Sequence, residues 1–259
     1  MALELAFDEF GAGPPVVVLH GLFGSAINWR SIARALSATH RVLTVDLRNH
    51  GGSPWTESMR YVEMADDVLA LVSRLGLHRP AVIGHSMGGK VAMSLALRYP
   101  EAVGALVVVD IAPVAYEDRF SDYVQAMRGV DLEGAGNRTD ISRRLATSIP
   151  DAGTVAFLMQ NLVMRNEHFD WRLNLMAIGN AMRELTAFPT ELLTERFDGP
   201  MTLIAGEHSD YVKPGDERLL ETLFPQLQVV VIPGAGHWVH ADQPKAFVEA
   251  VLPAIDASS

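Results

Sequence analysis

Ser86 stands in Gly84-His85-Ser86-Met87-Gly88, with a glycine two residues away on either side. An apolar run, Ala81–Ile83, precedes this turn and a helix-like stretch from Lys90 to Tyr99 follows it. Gly-x-Ser-x-Gly between a strand and a helix is the signature of a nucleophile elbow, which lifts a serine hydroxyl to the open edge of a sheet. The helix that starts there aims backbone N–H groups at developing negative charge. A serine hydroxyl is a weak nucleophile and needs a base. Among nine histidines, His237 in IPGAGHWVH directly follows the last predicted strand, and Gly234 and Gly236 let its loop turn. An acid must then orient the imidazole and stabilise its charged form. Asp110 ends one apolar run, Asp210 follows another that ends at Gly206, and both are candidates. Together these residues are equipment for nucleophilic acyl transfer.

The remaining histidines take quieter expectations. His240 is read as structural, at the start of a helix, and His85 as packing beside the site. His20 and His50 fall in loops near strand ends, where they would line a pocket. Lys90 is read as a solvated or core-snorkelling lysine rather than an anion site.

Such side chains need a rigid frame. Val16–Leu19, Val42–Val45, Ala81–Ile83, Leu106–Val109, Met201–Ala205 and Val229–Ile232 are nearly continuous β-branched or aliphatic runs. Continuous rather than alternating apolar runs mark strands buried on both faces, hence a mostly parallel sheet. Leu3–Phe10 is a weaker strand or hairpin. Helical faces lie between the runs: Trp29, Ile32, Ala33 and Leu36; Val68, Leu71, Val72 and Leu75; Leu219, Leu220, Leu223 and Phe224; Phe247, Val248, Val251 and Leu252. The alternation predicts a doubly wound α/β fold, a mostly parallel sheet flanked by helices. In such sheets ligands bind outside the carboxyl ends of the strands, where Ser86, Asp110, Asp210 and His237 all fall.

From about Tyr116 to Arg196 no core strand is expected. Residues 129–137 read as a loop, and helical patterns occupy 140–148, 154–163 and 179–188. So long a gap exceeds an ordinary connection. It predicts a mostly helical cap, residues 116–196, inserted after strand six of a core made of residues 1–115 and 197–259. Five of the eleven methionines lie in this segment: Met127, Met159, Met164, Met176 and Met182. Their adaptable side chains suit a permissive pocket or, more simply, helix packing. Trp171 either faces the site or anchors the cap.

The chain of 259 residues carries 31 acidic against 21 basic side chains, a formal charge of −10. That disfavours nucleic acid and anionic membrane surfaces as partners. No cysteine is present, which excludes disulfides, thiolate chemistry and cysteine-held zinc. No run approaches the length of a membrane helix and no signal-like segment opens the chain, so the expected location is cytoplasmic, without membrane insertion. Oligomeric state is left open.

HGLFGSAINWRSIARAL, VDLRNHGGSP, GHSMGGKVAM, VDIAPV and GAGHWVH follow one another in the order found in α/β-hydrolases. They most resemble the YbfF-like esterases and their abhydrolase-domain relatives, over residues 14–114 and 200–252; WRLN at 171–174 is the main echo in the cap. The resemblance implies Ser86 as nucleophile, His237 as base, and the backbone N–H groups of Leu22 and Met87 as the oxyanion hole. Many α/β-hydrolases carry the acid three residues after the glycine that ends strand seven. Here that residue is Ser209, and Asp210 is one position out of phase. In the YbfF-like group the acid follows strand six, which is Asp110. The implied activity is a serine carboxylesterase cleaving small-molecule esters of small to medium acyl chains, with no metal and no organic cofactor. Thioester hydrolysis, carbon–carbon bond hydrolysis, haloperoxidase-type chemistry and a non-turnover ligand receptor use the same frame and are the alternatives.

Overall fold

The computed structural model describes residues 2–256. Its main sheet has seven strands: β1 (Phe7–Phe10), β2 (Pro15–Leu19), β3 (Arg41–Val45), β4 (Ala81–His85), β5 (Ala105–Val109), β8 (Met201–Gly206) and β9 (Leu227–Ile232). A separate hairpin pairs β6 (Leu162–Arg165) with β7 (His168–Trp171). The sheet order is β1-β3-β2-β4-β5-β8-β9. Only β1 runs antiparallel; every other neighbouring pair is parallel.

Alternate residues of the central strands feed two cores. Val16 and Val18 of β2 pack with Trp29, Ile32 and Phe247 on one face, while Val17 and Leu19 join Val68, Leu71 and Val91 on the other. The first face is covered by α1 (Arg30–Leu36) and α11 (Pro244–Asp256), the second by α2 (Tyr61–Arg74) and α3 (Met87–Arg98). Burial on both faces is why these strands read as continuous apolar runs. β9 is different: at the sheet edge, Val229 and Val231 are half exposed.

Between β5 and β8 lie α4 (Ser121–Gly129), α5 (Arg138–Leu145), α6 (Ala152–Leu158), the hairpin, α7 (Leu175–Asn180) and α8 (Met182–Thr186). After β8 come α9 (Glu217–Leu223) and the single-turn α10 (Val239–Asp242). One expectation needs correction. The insertion follows the fifth described sheet strand rather than the sixth, because the N-terminal stretch supplies one strand, Phe7–Phe10, and no hairpin. The inserted segment is mostly helical and adds one short hairpin. Its hairpin turns through Asn166 and Glu167, both at positive φ (47° and 66°), the geometry of a two-residue turn that matches strand twist.

The inserted segment is tied to the sheet side by specific bonds. The Tyr61 hydroxyl donates to the Leu185 carbonyl (2.7 Å), Asn161 Nδ2 donates to the Phe23 carbonyl (2.8 Å), and Asn174 N–H donates to the Asn49 carbonyl (3.0 Å). No helix among the described residues is long and apolar enough to cross a membrane.

Candidate active site

The ladder between β4 and β5 ends with His85 opposite Val109. One residue further on, Ser86 and Asp110 leave the sheet together. Ser86 N–H donates to the Val109 carbonyl (3.0 Å) and Asp110 N–H to the Ile204 carbonyl (2.8 Å), so both turns are pinned to the neighbouring strand. Ser86 has φ 53° and ψ −118°, and Asp110 has φ 52°. Neither is glycine, so each turn holds strain of order 1–3 kcal/mol that the surrounding structure must sustain. The glycines around Ser86 make its turn possible. A Cβ on Gly84 would overlap the Gly88 carbonyl, and one on Gly88 would overlap the carbonyls of Leu19 and His20.

His237 arrives from the loop after β9. Its Nε2 lies 3.1 Å from Ser86 Oγ and its Nδ1 lies 2.7 Å from Asp110 Oδ2. The Tyr211 ring stacks on the imidazole, centroids 3.8 Å apart at 17°. From behind, His85 Nε2 donates to the His237 backbone carbonyl (2.8 Å). The imidazole is thus held on one face and at both nitrogens. Asp110 is fully buried. Its Oδ1 accepts the Gly206 N–H (3.0 Å), and its Oδ2 also accepts the Ser209 hydroxyl. Asp210 instead forms an exposed ion pair with Arg119 (3.0 Å), which holds its carboxyl below the usual range.

Met87 is the first residue of α3, where a helix N–H has no partner within the helix. Leu22 sits in the turn closed by Gly24 N–H on the Gly21 carbonyl, beside Phe23 at φ 61°. Neither the Met87 nor the Leu22 N–H has an acceptor among the described residues. Both residues border the cavity at Ser86. A second cavity at Ser86, about 250 Å³, is walled by apolar and aromatic side chains that include Phe23, Phe120, Tyr123, Phe157 and Trp238.

Three of the secondary histidines, His20, His85 and His240, border the cavity from within the core. Burial lowers His20 to about 4; its Nε2 accepts from Leu47 N–H (3.0 Å). Burial likewise lowers His240 to about 3, and its ring stacks on Trp29 at 4.0 Å. His85 is also pushed well down by burial. His50 does not reach the cavity: it is buried against His20 and lowered to about 3. None of the five methionines of the inserted segment borders it either. Met127, Met159 and Met182 are core, while Met164 and Met176 are exposed. Trp171 anchors the inserted segment, donating from Nε1 to the Met127 carbonyl (2.9 Å). Lys90 is neither solvated nor snorkelling but buried. Ser209, Tyr211 and Gly206 were missed as site residues. Ser209 carried a signal, since it occupies the position of the commoner acid.

The family model for the alpha/beta hydrolase fold matches residues 14–244. The chain belongs to the α/β-hydrolase family. This hydrolase is 40% identical over 246 residues to the mouse protein named sn-1-specific diacylglycerol lipase ABHD11, covering 92% of this chain and 80% of that one. It is 34% identical to esterase YbfF of Escherichia coli, covering 92% and 91% of the two chains. A solved structure titled marine microorganism esterase superposes with a TM-score of 0.94 at 35% identity, over 98% of this chain and all of that one. With such relatives, the protein is an esterase/lipase-type hydrolase.

Proposed function

We propose that this hydrolase cleaves carboxylic esters of small to medium acyl chains through Ser86, His237 and Asp110, with residues 116–196 forming a cap over the site. The observation that carries this reading is the continuous chain of contacts from Ser86 Oγ through both nitrogens of His237 to the buried Asp110. In the first step Ser86 Oγ bonds to the ester carbonyl carbon while His237 Nε2 takes its proton. Asp110 keeps Nδ1 protonated and stabilises the imidazolium. The N–H groups of Leu22 and Met87 receive the oxyanion, each worth on the order of 3 kcal/mol in the transition state. The carbon–oxygen bond to the alcohol then breaks, and the leaving oxygen takes the proton from His237. Water, deprotonated by the same nitrogen, releases the acid from the acyl-enzyme and restores Ser86.

Relatives named diacylglycerol lipase and esterase make glycerol esters and simple esters the first substrates to try. The test is hydrolysis of p-nitrophenyl esters of graded acyl length by the native protein and Ser86→Ala. Serine-dependent turnover supports the reading. Equal rates in the two proteins remove Ser86 as nucleophile.

A further inference from the structure

Two cavities of unequal size meet at Ser86. The larger, about 250 Å³, is bordered by His237 and Trp238. The smaller, about 30 Å³, opens beside Ser86 and Met87 and is closed by Tyr61, Ile111, Leu185 and Lys90. Leu22, Phe120 and Tyr211 border both, but His237 borders only the larger.

This asymmetry has a chemical direction. In a tetrahedral intermediate on Ser86, the leaving oxygen must reach His237 Nε2 to be protonated. The alcohol portion therefore extends on the histidine side. The oxyanion points to the backbone N–H groups, which leaves the acyl chain the direction away from His237. We propose that the small cavity is the acyl subsite and the large cavity the alcohol subsite, so that the preferred substrates are esters of short, uncharged acids with bulky apolar alcohols. The inference rests on the roles assigned above to Ser86 and His237.

Size sets the first limit. A water-sized occupant needs on the order of 10–15 Å³, so the small cavity admits about two or three such groups. Its walls set the second. Lys90 Nζ donates to the carbonyls of Val114 (2.9 Å), Thr186 (3.0 Å) and Ala187 (2.7 Å). Burial alone pushes this ammonium down to about 7, whereas three carbonyl acceptors favour its charged form. The Tyr61 and Tyr116 hydroxyls donate to the carbonyls of Leu185 and Tyr211, each at 2.7 Å. Every side-chain donor of Lys90, Tyr61 and Tyr116 is therefore engaged by backbone. An acyl tail meets hydrocarbon and ring surface and finds no free cation for a second carboxylate. Lys90 also ties Val114, just before the inserted segment, to Thr186 and Ala187 within it, so moving these backbone walls apart means breaking those bonds.

The test is a matrix of wild-type kcat/KM values, with Ser86→Ala assayed beside it. At constant alcohol, 1-naphthyl acetate should exceed 1-naphthyl octanoate by about tenfold or more, because each misfitting methylene in a packed pocket is costly. At constant acyl group, 1-naphthyl acetate should exceed methyl acetate. The 1-naphthyl hemisuccinate should fall about tenfold below the butyrate. Leu185→Ala should shift the optimum to longer acyl groups, and the milder Leu185→Val should shift it in the same direction. An octanoyl optimum in the wild type, a preference for methyl acetate, or a Leu185 effect confined to the alcohol would overturn the subsite assignment while leaving a serine-dependent hydrolase. Retained activity in Ser86→Ala would instead overturn the nucleophile on which it rests.

Discussion

The Ser209 hydroxyl donates to Asp110 Oδ2, the same oxygen that accepts from His237 Nδ1. Ser209 thus occupies the place of the commoner acid but donates to Asp110, the acid of the proposed triad. A hydrogen bond to a charged group contributes about 1.5–3 kcal/mol. If half of that persists in the transition state, Ser209→Ala lowers kcat by roughly three- to tenfold with little change in KM. Steady-state kinetics on one ester checks this, and an unchanged kcat would reduce Ser209 to packing.

Asp110 and Asp210 should separate sharply. Asp110→Asn removes the acceptor that fixes the His237 tautomer, and kcat should fall by about 10³–10⁴. Asp210→Asn breaks only an exposed pair with Arg119, whose worth is at most ~1 kcal/mol, and should leave kcat within about twofold. Parallel kinetics of the two variants decide the matter; the reverse ranking would return the acid to Asp210.

The contrast between these two aspartates shows how far the sequence speaks. The Ser86 turn is legible because its requirements are local: Gly84 and Gly88 leave room for carbonyls that a Cβ would strike. His237 is legible from its loop glycines and its position after β9. The acid is not decided locally, since Asp110 and Asp210 both lie just beyond the carboxyl ends of strands. What distinguishes them is tertiary: the Gly206 N–H and Ser209 hydroxyl converge on Asp110, while Arg119 claims Asp210. The hairpin at 162–171 was hidden for another reason. Its turn is Asn166-Glu167, and glutamate is a poor signal for the positive φ it adopts. The methionines of the inserted segment left pocket and helix packing both open, because composition does not report which way a side chain faces; Met127, Met159 and Met182 are packed in the core.

Buried neutral histidines predict acid lability. His20 sits near 4, and His50 and His240 near 3, all lowered chiefly by burial. An unfolded histidine titrates near 6.5, so below that pH the unfolded chain binds more protons than the folded one. Stability should therefore be full above pH ~6.5 and fall as pH drops toward 4, by up to ~1.4 kcal/mol per pH unit for each such group. Urea unfolding at pH 7, 6 and 5 measures it. A flat free energy across that range would mean that these rings accept protons without loss of the fold.

Gly88→Ala should damage both fold and activity. The added methyl group meets the carbonyls of Leu19 and His20, which cannot swing away as a flexible side chain would. Overpacking of this kind costs about 1–3 kcal/mol. The urea midpoint should fall by the corresponding amount with m unchanged, and kcat should fall with it because the Ser86 turn shifts. A wild-type midpoint would show that the elbow has slack.

The central claim is that Ser86 carries the acyl group. Active-site titration with a fluorophosphonate, followed by peptide mapping, addresses it directly. The account predicts one label per chain, located on Ser86, with activity lost in proportion to labelling and no label on Ser86→Ala. Complete inactivation with the label on another residue, or full activity with Ser86 labelled, would contradict it.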